Sequence, residues 1–487
     1  MLPPDPMKGP SVEEGLRQSL EVAEERAILV TVLLGGAGDD VSDPLAELRA
    51  LSSTAGATVV GELLQRRAKP RGATYLGKGK LEELVRMVEM VKASVVIFDN
   101  ELSPMQIRTI EEAVSCKVLD RSELILDIFA SRAQTREARL QVEIAQLQYT
   151  APRLRAMWTH LGQVTGGAPI GVGTRGPGEQ QLEIDRRLVH KRISLLRERL
   201  AEVQSRKSRE VEARTHEHFT VGLVGYTNAG KSTLFNVVTS GGALEADQLF
   251  ATLNTRVEAW PLGGGAQALL SDTVGFINNL PHHLVASFRS TLEETVRAHA
   301  LVIVLDVADV HAPMQYQTVL EVLEDIGARD QPRVVVLNKI DTLVDRRQRG
   351  LLAENPVPFW LEREPEAIAV SARTGEGVEA LRDRVRGLLR GPLREVQMEV
   401  PMSDSRLTDY LEKRTEVLDR AWTESTCVYR VTIGRRQVEQ LLARGCRFSL
   451  NDQPAAEAIE QLWPTPVRAE SPAIPPHRRT WPDEHVE

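Results

Sequence analysis

The stretch FTVGLVGYTNAGKSTL, residues 219–234, decides the fold of this chain. Residues 219–224 are mostly apolar and β-branched or aromatic, which is typical of a buried strand. Residues 225–232 match the G-x-x-x-x-G-K-S pattern of a phosphate-binding loop that joins a strand to a helix. The motif therefore predicts an α/β domain that holds a nucleotide by its phosphates.

The residue types of this phosphate loop suit that chemistry. Gly225 and Gly230 let backbone N–H groups turn toward phosphate oxygens, and Lys231 neutralises the β and γ oxygens. The hydroxyl of Ser232 is a ligand for Mg²⁺. We expect the nucleotide to contact the whole loop, namely Gly225, Tyr226, Thr227, Asn228, Ala229, Gly230, Lys231, Ser232 and Thr233. The loop by itself does not distinguish ATP from GTP.

Two later motifs indicate guanine. The strand-like run VVVL, residues 334–337, ends in the tetrapeptide NKID, which resembles the NKxD signature of GTPases. The aspartate of that signature accepts hydrogen bonds from guanine N1–H and the exocyclic amine, and adenine lacks this donor pair. Each short motif alone also fits a turn or a helix start, but their order after the phosphate loop favours a GTPase. The predicted base contacts are Asn338, Lys339, Asp341 and, after the strand-like run 367–370, Ser371, Ala372 and Arg373.

The segment DTVG, residues 272–275, is the predicted sensor of the γ-phosphate. We expect Asp272 to hold the Mg²⁺ shell through water and the Gly275 N–H to meet the γ-phosphate, with Thr273 and Val274 beside it. The segment QLFATL, residues 248–253, contains Thr252 as the second candidate hydroxyl ligand. The predicted Mg²⁺ ligands are thus Ser232, Thr252 and Asp272, and the predicted catalytic residues are Lys231, Thr252 and Gly275.

The residue after the sensor motif bears on the rate of hydrolysis. Many small GTPases have a water-orienting glutamine directly after the DxxG glycine, whereas this chain has Phe276. Because an apolar ring cannot orient water, we expect slow intrinsic hydrolysis and a partner that completes the site.

The length of 487 residues predicts two to four domains. Upstream of the phosphate loop, strand-like runs at 27–34, 58–65, 94–99 and 117–120 alternate with helix-like runs at 43–55, 81–91 and 103–114. This alternation predicts a small parallel α/β domain over residues 25–130, after a disordered N-terminus, 1–24. A GTPase domain is expected over 216–392, a small α+β domain over 393–450, and a disordered tail over 451–487.

Residues 131–215 predict a long antiparallel helical hairpin with a glycine-rich tip loop at 165–179. After the tip, Leu182, Val189, Leu196 and Val203 recur every seven residues, which is typical of a coiled-coil seam. Between Arg132 and Arg214, sixteen basic residues face nine acidic ones, so this segment carries a charge near +7 within a chain of −8. Such a basic segment is typical of a nucleic-acid contact, although a solvated coiled-coil face is the alternative.

Composition narrows the class of protein further. The three cysteines lie far apart and form no CxxC pair, which argues against a disulfide framework or a zinc ribbon. No apolar run reaches the roughly 18 residues that a spanning helix needs, and the N-terminus lacks the pattern of a signal peptide. We therefore expect a cytoplasmic protein without a membrane span.

Several motifs together resemble one family. They are TYLGKGKLEEL at 74–84, ELSP at 101–104, VLDRSELILDIF at 118–129, GTRGPGE at 173–179 and DTVGF at 272–276. They resemble the HflX family of P-loop GTPases, over about residues 25–445. The resemblance implies the four-part architecture above, GTP hydrolysis, binding to the large ribosomal subunit, and splitting of stalled or idle ribosomes under stress. It also implies that the hairpin tip approaches the peptidyl-transferase region, with Arg153, Arg155 and Arg175 as ribosomal RNA contacts of a monomeric protein.

The resemblance raises further expectations and some departures. Asn228 resembles the asparagine of potassium-stimulated GTPases, with loop capping as the alternative. Residues 77–80, GKGK, are a candidate ATP phosphate site, with a plain glycine turn before a helix as the alternative. The segment after Thr252 is about two residues shorter than in relatives, and the hairpin tip is longer. Two other classes stay open: a nucleotide-gated RNA chaperone or helicase-like ATPase, and a GTP-dependent ribosome-binding scaffold with little turnover.

Overall fold

The computed structural model describes residues 25–35, 43–158, 177–239, 250, 255–277, 292–343, 355–423 and 425–464, without the side chains of 152–186 and 216–217. These residues form two compact units. The first comprises residues up to 263 together with 267–385, and the second comprises 264–266 together with the residues from 386. Within the described residues, no helix is both long and apolar enough to cross a membrane.

The first unit begins with a four-stranded parallel sheet in the order β2-β1-β3-β4. Its strands are β1 (Arg26–Leu34), β2 (Thr58–Arg67), β3 (Val95–Phe98) and β4 (Lys117–Asp120), and its helices are α1 (Ala46–Thr54), α2 (Lys78–Val91) and α3 (Pro104–Val114). Alternate residues of β1 enter two separate cores, Leu29 on one face and Ile28 on the other. A sheet covered on both faces is what continuous apolar strands predict, so the parallel α/β domain is confirmed.

The helix starts of this domain follow from local sequence. Ser103 caps α3 by accepting a hydrogen bond from Gln106 N, and the Gln106 side chain accepts one from Ser103 N in return. Helix α2 begins at Lys78, directly after Gly77, so our predicted start at residue 81 was three residues late. The GKGK segment therefore forms the first turn of a helix. ATP binding there stays a prediction.

Three helices follow: α4 (Arg121–Arg132), α5 (Arg136–Trp158) and α6 (Pro177–Glu217). Between α5 and α6, an apolar seam contains Leu140, Ile144, Ile193, Leu196 and Leu200, with Val189 and Val203 packed against it. Burial of a side chain such as Leu196 contributes about 1.5–3 kcal/mol. The predicted seam is thus confirmed from Val189 onward, whereas the side chain of Leu182 lies outside the description.

The hairpin tip is described only in part. Helix α6 begins at Pro177, a residue favoured in the first helical turn, so the last three residues of the predicted tip loop, 177–179, belong to the helix. Arg153 and Arg155 belong to the backbone of α5, but their side chains lie outside the described part of the chain. Arg175 lies outside it altogether, as does Thr252.

The GTPase region contains a six-stranded sheet in the order β10-β9-β8-β5-β7-β6. The strands are β5 (Thr220–Gly225), β6 (Arg256–Gly263), β7 (Ala266–Asp272), β8 (Ala300–Asp306), β9 (Arg333–Asn338) and β10 (Ile368–Ala369). The helices are α7 (Lys231–Thr239), α8 (Glu293–Arg297), α9 (Ala312–Asp325), α10 (Val357–Arg363) and α11 (Val378–Arg390). Strands β5, β7, β8, β9 and β10 pair in parallel, so their carboxyl ends meet at one edge. The predicted α/β GTPase domain is confirmed.

The second unit carries a five-stranded sheet in the order β12-β13-β11-β14-β15 with antiparallel pairing. The strands are β11 (Leu393–Pro401), β12 (Glu416–Trp422), β13 (Thr426–Gly434), β14 (Ser449–Leu450) and β15 (Gln453–Pro454). The helices are α12 (Ser405–Arg414), α13 (Arg435–Ala443) and α14 (Ala455–Leu462). This is the small α+β domain that the sequence predicts.

The end of that domain lies later than we predicted. Residues 451–464 are folded, although the sequence analysis assigned everything after 450 to a disordered tail. Ile459 of α14 belongs to the core of the sheet, and Trp463 is 3% exposed while its Nε1 donates to the Pro392 carbonyl at 2.7 Å. Apolar burial therefore outweighs the proline and charge that indicated disorder.

Candidate nucleotide site

The phosphate loop lies between β5 and α7, at the carboxyl edge of the parallel sheet. Two of its glycines are required by close backbone approaches. An added Cβ at Gly225 would lie 2.3 Å from the Val304 carbonyl oxygen, and one at Gly230, where φ is +92°, would lie 2.2 Å from Asn338 Nδ2. No side chain fits either place, so the predicted glycine positions are fixed by packing as well as by phosphate access.

Lys231 begins α7 with its side chain turned back into the loop. Its Nζ donates to the carbonyl oxygens of Gly225 at 3.2 Å and Tyr226 at 2.8 Å. Burial lowers the pKa of Lys231 to about 8, against the raising effect of the Asp272 charge. A buried ammonium that is short of negative charge favours an incoming phosphate.

The loop and the sensor segment after β7 are directly paired. Thr227 N donates to the Phe276 carbonyl at 2.8 Å, and Phe276 N donates to the Gly225 carbonyl at 3.1 Å. An added Cβ at Gly275 would lie 2.9 Å from Lys231 Nζ and from Thr227 Cγ2. The structure therefore brings Lys231 and Gly275 together, as a γ-phosphate sensor needs.

Ser232 and Asp272 also meet at this edge. Ser232 Oγ donates to Asp272 Oδ2 at 2.8 Å. A hydroxyl and a carboxylate side by side are the hard oxygen donors that Mg²⁺ prefers, so this pair fits the ion that the motifs predict. Thr252, the other predicted ligand, lies outside the described residues.

Other residues of the sensor segment have structural roles. Thr273 is fully buried and its hydroxyl donates to the Leu223 carbonyl at 2.7 Å, while Val274 packs in an apolar core. Both side chains therefore contact the protein interior, so the predicted nucleotide contacts of these two residues fall to their backbones. The Phe276 ring is 3% exposed in a second core, so no polar side chain follows Gly275 directly.

The residues predicted to read the base lie at the ends of β9 and β10. Asp341 accepts from Ser371 Oγ at 2.8 Å and pairs with Arg373 at 2.6 Å, while its own side chain is only 10% exposed. Lys339, with φ of +66°, pairs with Asp306 at 2.8 Å. A carboxylate held in this way can accept two hydrogen bonds from guanine.

Asn338 has a role that the motif did not reveal. Its Nδ2 donates to the Ala229 carbonyl at 2.8 Å, and its Oδ1 accepts from Ala372 N at 3.0 Å. One buried side chain thus ties the phosphate loop to the loop after β10. The predicted contact of Asn338 with the base stays a prediction.

Sequence reasoning missed one contact of the phosphate loop altogether. The Tyr226 hydroxyl donates to Glu47 of α1, a residue 179 positions earlier in the chain. The predicted nucleotide contact of Tyr226 therefore falls to its backbone, since its side chain is engaged with the N-terminal domain. No motif surrounds Glu47 that could have indicated this.

Comparison with known proteins agrees with this geometry. Three family models match: "GTP-binding GTPase N-terminal" at residues 42–130, "GTP-binding GTPase Middle Region" at 132–214 and "50S ribosome-binding GTPase" at 220–339. These matches cover the parallel domain from residue 42, the helical region, and the nucleotide site as far as Lys339.

Curated relatives named "GTPase HflX" match over most of their length. The protein of Lacrimispora saccharolytica is 42% identical over 76% of this chain and 84% of its own. That of Escherichia coli K12 is 40% identical over 82% and 91%, and that of Magnetococcus marinus is 43% identical over 79% and 87%.

The approach of Gly275 to Lys231 yields a prediction. We expect Gly275→Ala to slow GTP hydrolysis at least about tenfold, equivalent to about 1.4 kcal/mol, because the added methyl displaces the lysine ammonium. Phosphate release at saturating GTP measures this. The matched control is Gly387→Ala in α11, where an added Cβ meets nothing within 4 Å and the rate should stay within about twofold. If Gly275→Ala hydrolysed GTP at the parental rate, this would contradict the assignment of Gly275 to the γ-phosphate sensor.

Proposed function

The chain belongs to the HflX family of GTPases, and we propose that in its GTP-bound form it binds the large ribosomal subunit and splits stalled or idle ribosomes. The observation that carries the proposal is the combination of the phosphate-loop and base-loop contacts of a nucleotide site with two long helices of a basic segment in one chain. Hydrolysis then resets the protein for another round.

Different residues in the phosphate half of the site bind the phosphates, stabilise charge and hold the metal ion. The loop 225–233 surrounds the phosphates with backbone N–H groups, and Lys231 stabilises charge that develops on the β–γ bridge as it breaks. Ser232 would ligate Mg²⁺ and Asp272 would hold it through water, and the ion would supply positive charge that neutralises the phosphates. The Gly275 N–H contacts the γ-phosphate, so that segment responds to hydrolysis.

The base half of the site selects guanine. The Asp341 carboxylate accepts from N1–H and the exocyclic amine, and it is already oriented by Ser371 and Arg373. The backbone of the loop 371–373 faces the guanine carbonyl. An adenine nucleotide would turn its N1 lone pair toward the carboxylate and offer it no donor pair, which argues against the ATPase alternative.

The buried Phe276 ring supports stimulation by a partner. No side chain directly after Gly275 can orient the attacking water, because that ring packs in the core. We infer that intrinsic hydrolysis is slow and that ribosome binding completes the water-orienting contacts, as an added catalytic group does for other GTPases.

The hairpin is the proposed ribosome contact. The family description "50S ribosome-binding GTPase" for residues 220–339 supports a large-subunit partner. The basic excess between Arg132 and Arg214 complements the phosphates of ribosomal RNA, with Arg153, Arg155 and Arg175 as the proposed contacts.

Sedimentation of intact ribosomes tests the splitting activity. With the full-length protein and a non-hydrolysable GTP analogue, we expect ribosomes to shift to free subunits. Arg175→Glu should weaken this shift about tenfold, since it reverses a charge against RNA phosphate. The control is Arg199→Glu, an exposed position of α6 about 33 Å of helix from Pro177, which should behave like the parent. No shift with the parent protein would reject the splitting role.

Asn228 is the proposed ligand of a stimulating potassium ion. Its backbone has φ of +60°, its side chain is exposed, and it makes no hydrogen bond within the described residues. An amide oxygen held at the phosphates suits a monovalent cation there. We therefore propose that K⁺ accelerates hydrolysis in this protein.

Comparing potassium and sodium buffers tests this ion. The parent should hydrolyse GTP roughly tenfold faster in potassium, and Asn228→Ala should lose that difference while binding GDP within about threefold of the parent. Equal parental rates in the two buffers would refute the potassium site.

A further inference from the structure

The Tyr226 side chain leaves the phosphate loop and enters the N-terminal domain. The residue is 5% exposed and its hydroxyl donates to Glu47 Oε1 on α1. Its backbone stays in the loop, where its carbonyl accepts from Lys231 at 2.8 Å. One residue therefore connects a helix of the N-terminal domain to the lysine of the phosphate loop.

A second contact fixes the position of the Glu47 carboxylate. Its Oε2 pairs with Arg121 at 2.6 Å, and Arg121 also pairs with Asp99 at 2.8 Å. Burial alone would lower the pKa of Arg121, but the charges of Glu47 and Asp99 raise it above its ordinary value. The guanidinium is only 6% exposed and stays charged, so it fixes the carboxylate that receives the tyrosine hydroxyl.

An apolar cluster accompanies this polar connection. It joins residues of the nucleotide site, Tyr226, Phe250, Val274 and Ile277, to residues of α1 and α4. The Phe250 ring meets Phe129 of α4 edge to face with centroids 4.6 Å apart. Phe250 lies two positions before Thr252, and Val274 lies directly before Gly275. The loop and the sensor segment thus share one core with the N-terminal domain.

We propose that Glu47 and the Tyr226 hydroxyl are positioning residues of the GTP site, acting through the backbone of the phosphate loop. Neither side chain touches the nucleotide. A loop that is held in its binding conformation loses less entropy when a nucleotide binds. A freed loop adopts that conformation only part of the time, and its apparent affinity is reduced by that fraction. Because coupling between sites is reciprocal, bound nucleotide should in turn steady α1 and α4.

Tyr226→Phe removes one oxygen and leaves the ring in its core. With Mg²⁺ present, we expect the variant's Kd for GDP to rise about fivefold. The reason is that the variant lacks the hydrogen bond to Glu47 that favours the binding conformation of the loop. Hydrogen exchange gives a second readout that a merely structural residue would not change. In the parent, GDP should slow exchange in residues 46–54 and 121–132, and the variant should lose most of that protection.

Tyr316→Phe is the matched control. The Tyr316 hydroxyl donates to Glu364 Oε1 at 2.6 Å, so this variant removes the same kind of bond between α9 and the residue after α10. Its GDP affinity should stay within about twofold of the parent. A Kd for Tyr226→Phe equal to that of Tyr316→Phe, with protection intact, would overturn the proposal.

A double variant completes the test. Tyr226→Phe combined with Glu47→Ala should bind GDP no more weakly than the worse single variant, because either change removes the same hydrogen bond. Multiplied effects would show that the two residues act separately and would overturn the proposal. The inference rests on the proposed nucleotide site, and a parent that fails to bind GDP would instead disprove that site.

Discussion

The main-chain pairing between Phe276 and the phosphate loop is the contact on which the rest of the structure depends. The two hydrogen bonds, Thr227 N to Phe276 O and Phe276 N to Gly225 O, bring the sensor segment against Lys231. They leave no room for a side chain at Gly275. A γ-phosphate bound to Lys231 would therefore meet this segment, and hydrolysis would change that contact directly.

The same segments also form part of a larger core. Alternate residues of the N-terminal strands pack under α1 and α4, and Val274 and Tyr226 complete that core from the other side. Helix α4 leads through a short connection into α5, whose Tyr149 hydroxyl donates to Asp120 at the start of α4. The nucleotide site, the N-terminal domain and the base of the hairpin are thus packed as continuous structure, which gives a physical route from GTP to the proposed ribosome contact.

Sequence patterns predicted most of this architecture because the relevant signals are local. Apolar runs gave the parallel strands, the seven-residue repeat gave the hairpin seam, and each nucleotide motif lies within a few residues. The contact between Glu47 and Tyr226 could not be predicted, since it joins positions 179 residues apart and follows no motif. Helix α14 was missed because its burial depends on the sheet it covers, whereas its own sequence follows proline and charged residues. The linking role of Asn338 depends likewise on neighbours from two other loops.

We infer that a guanine nucleotide binds between the phosphate loop and Asp341, and a change of base specificity tests this inference most directly. Asp341→Asn replaces an acceptor by an amide that donates to the second carbonyl of xanthine. We expect this variant to lose at least about a hundredfold in GTP hydrolysis and to gain hydrolysis of xanthosine triphosphate. Retention of the parental preference for GTP would contradict it.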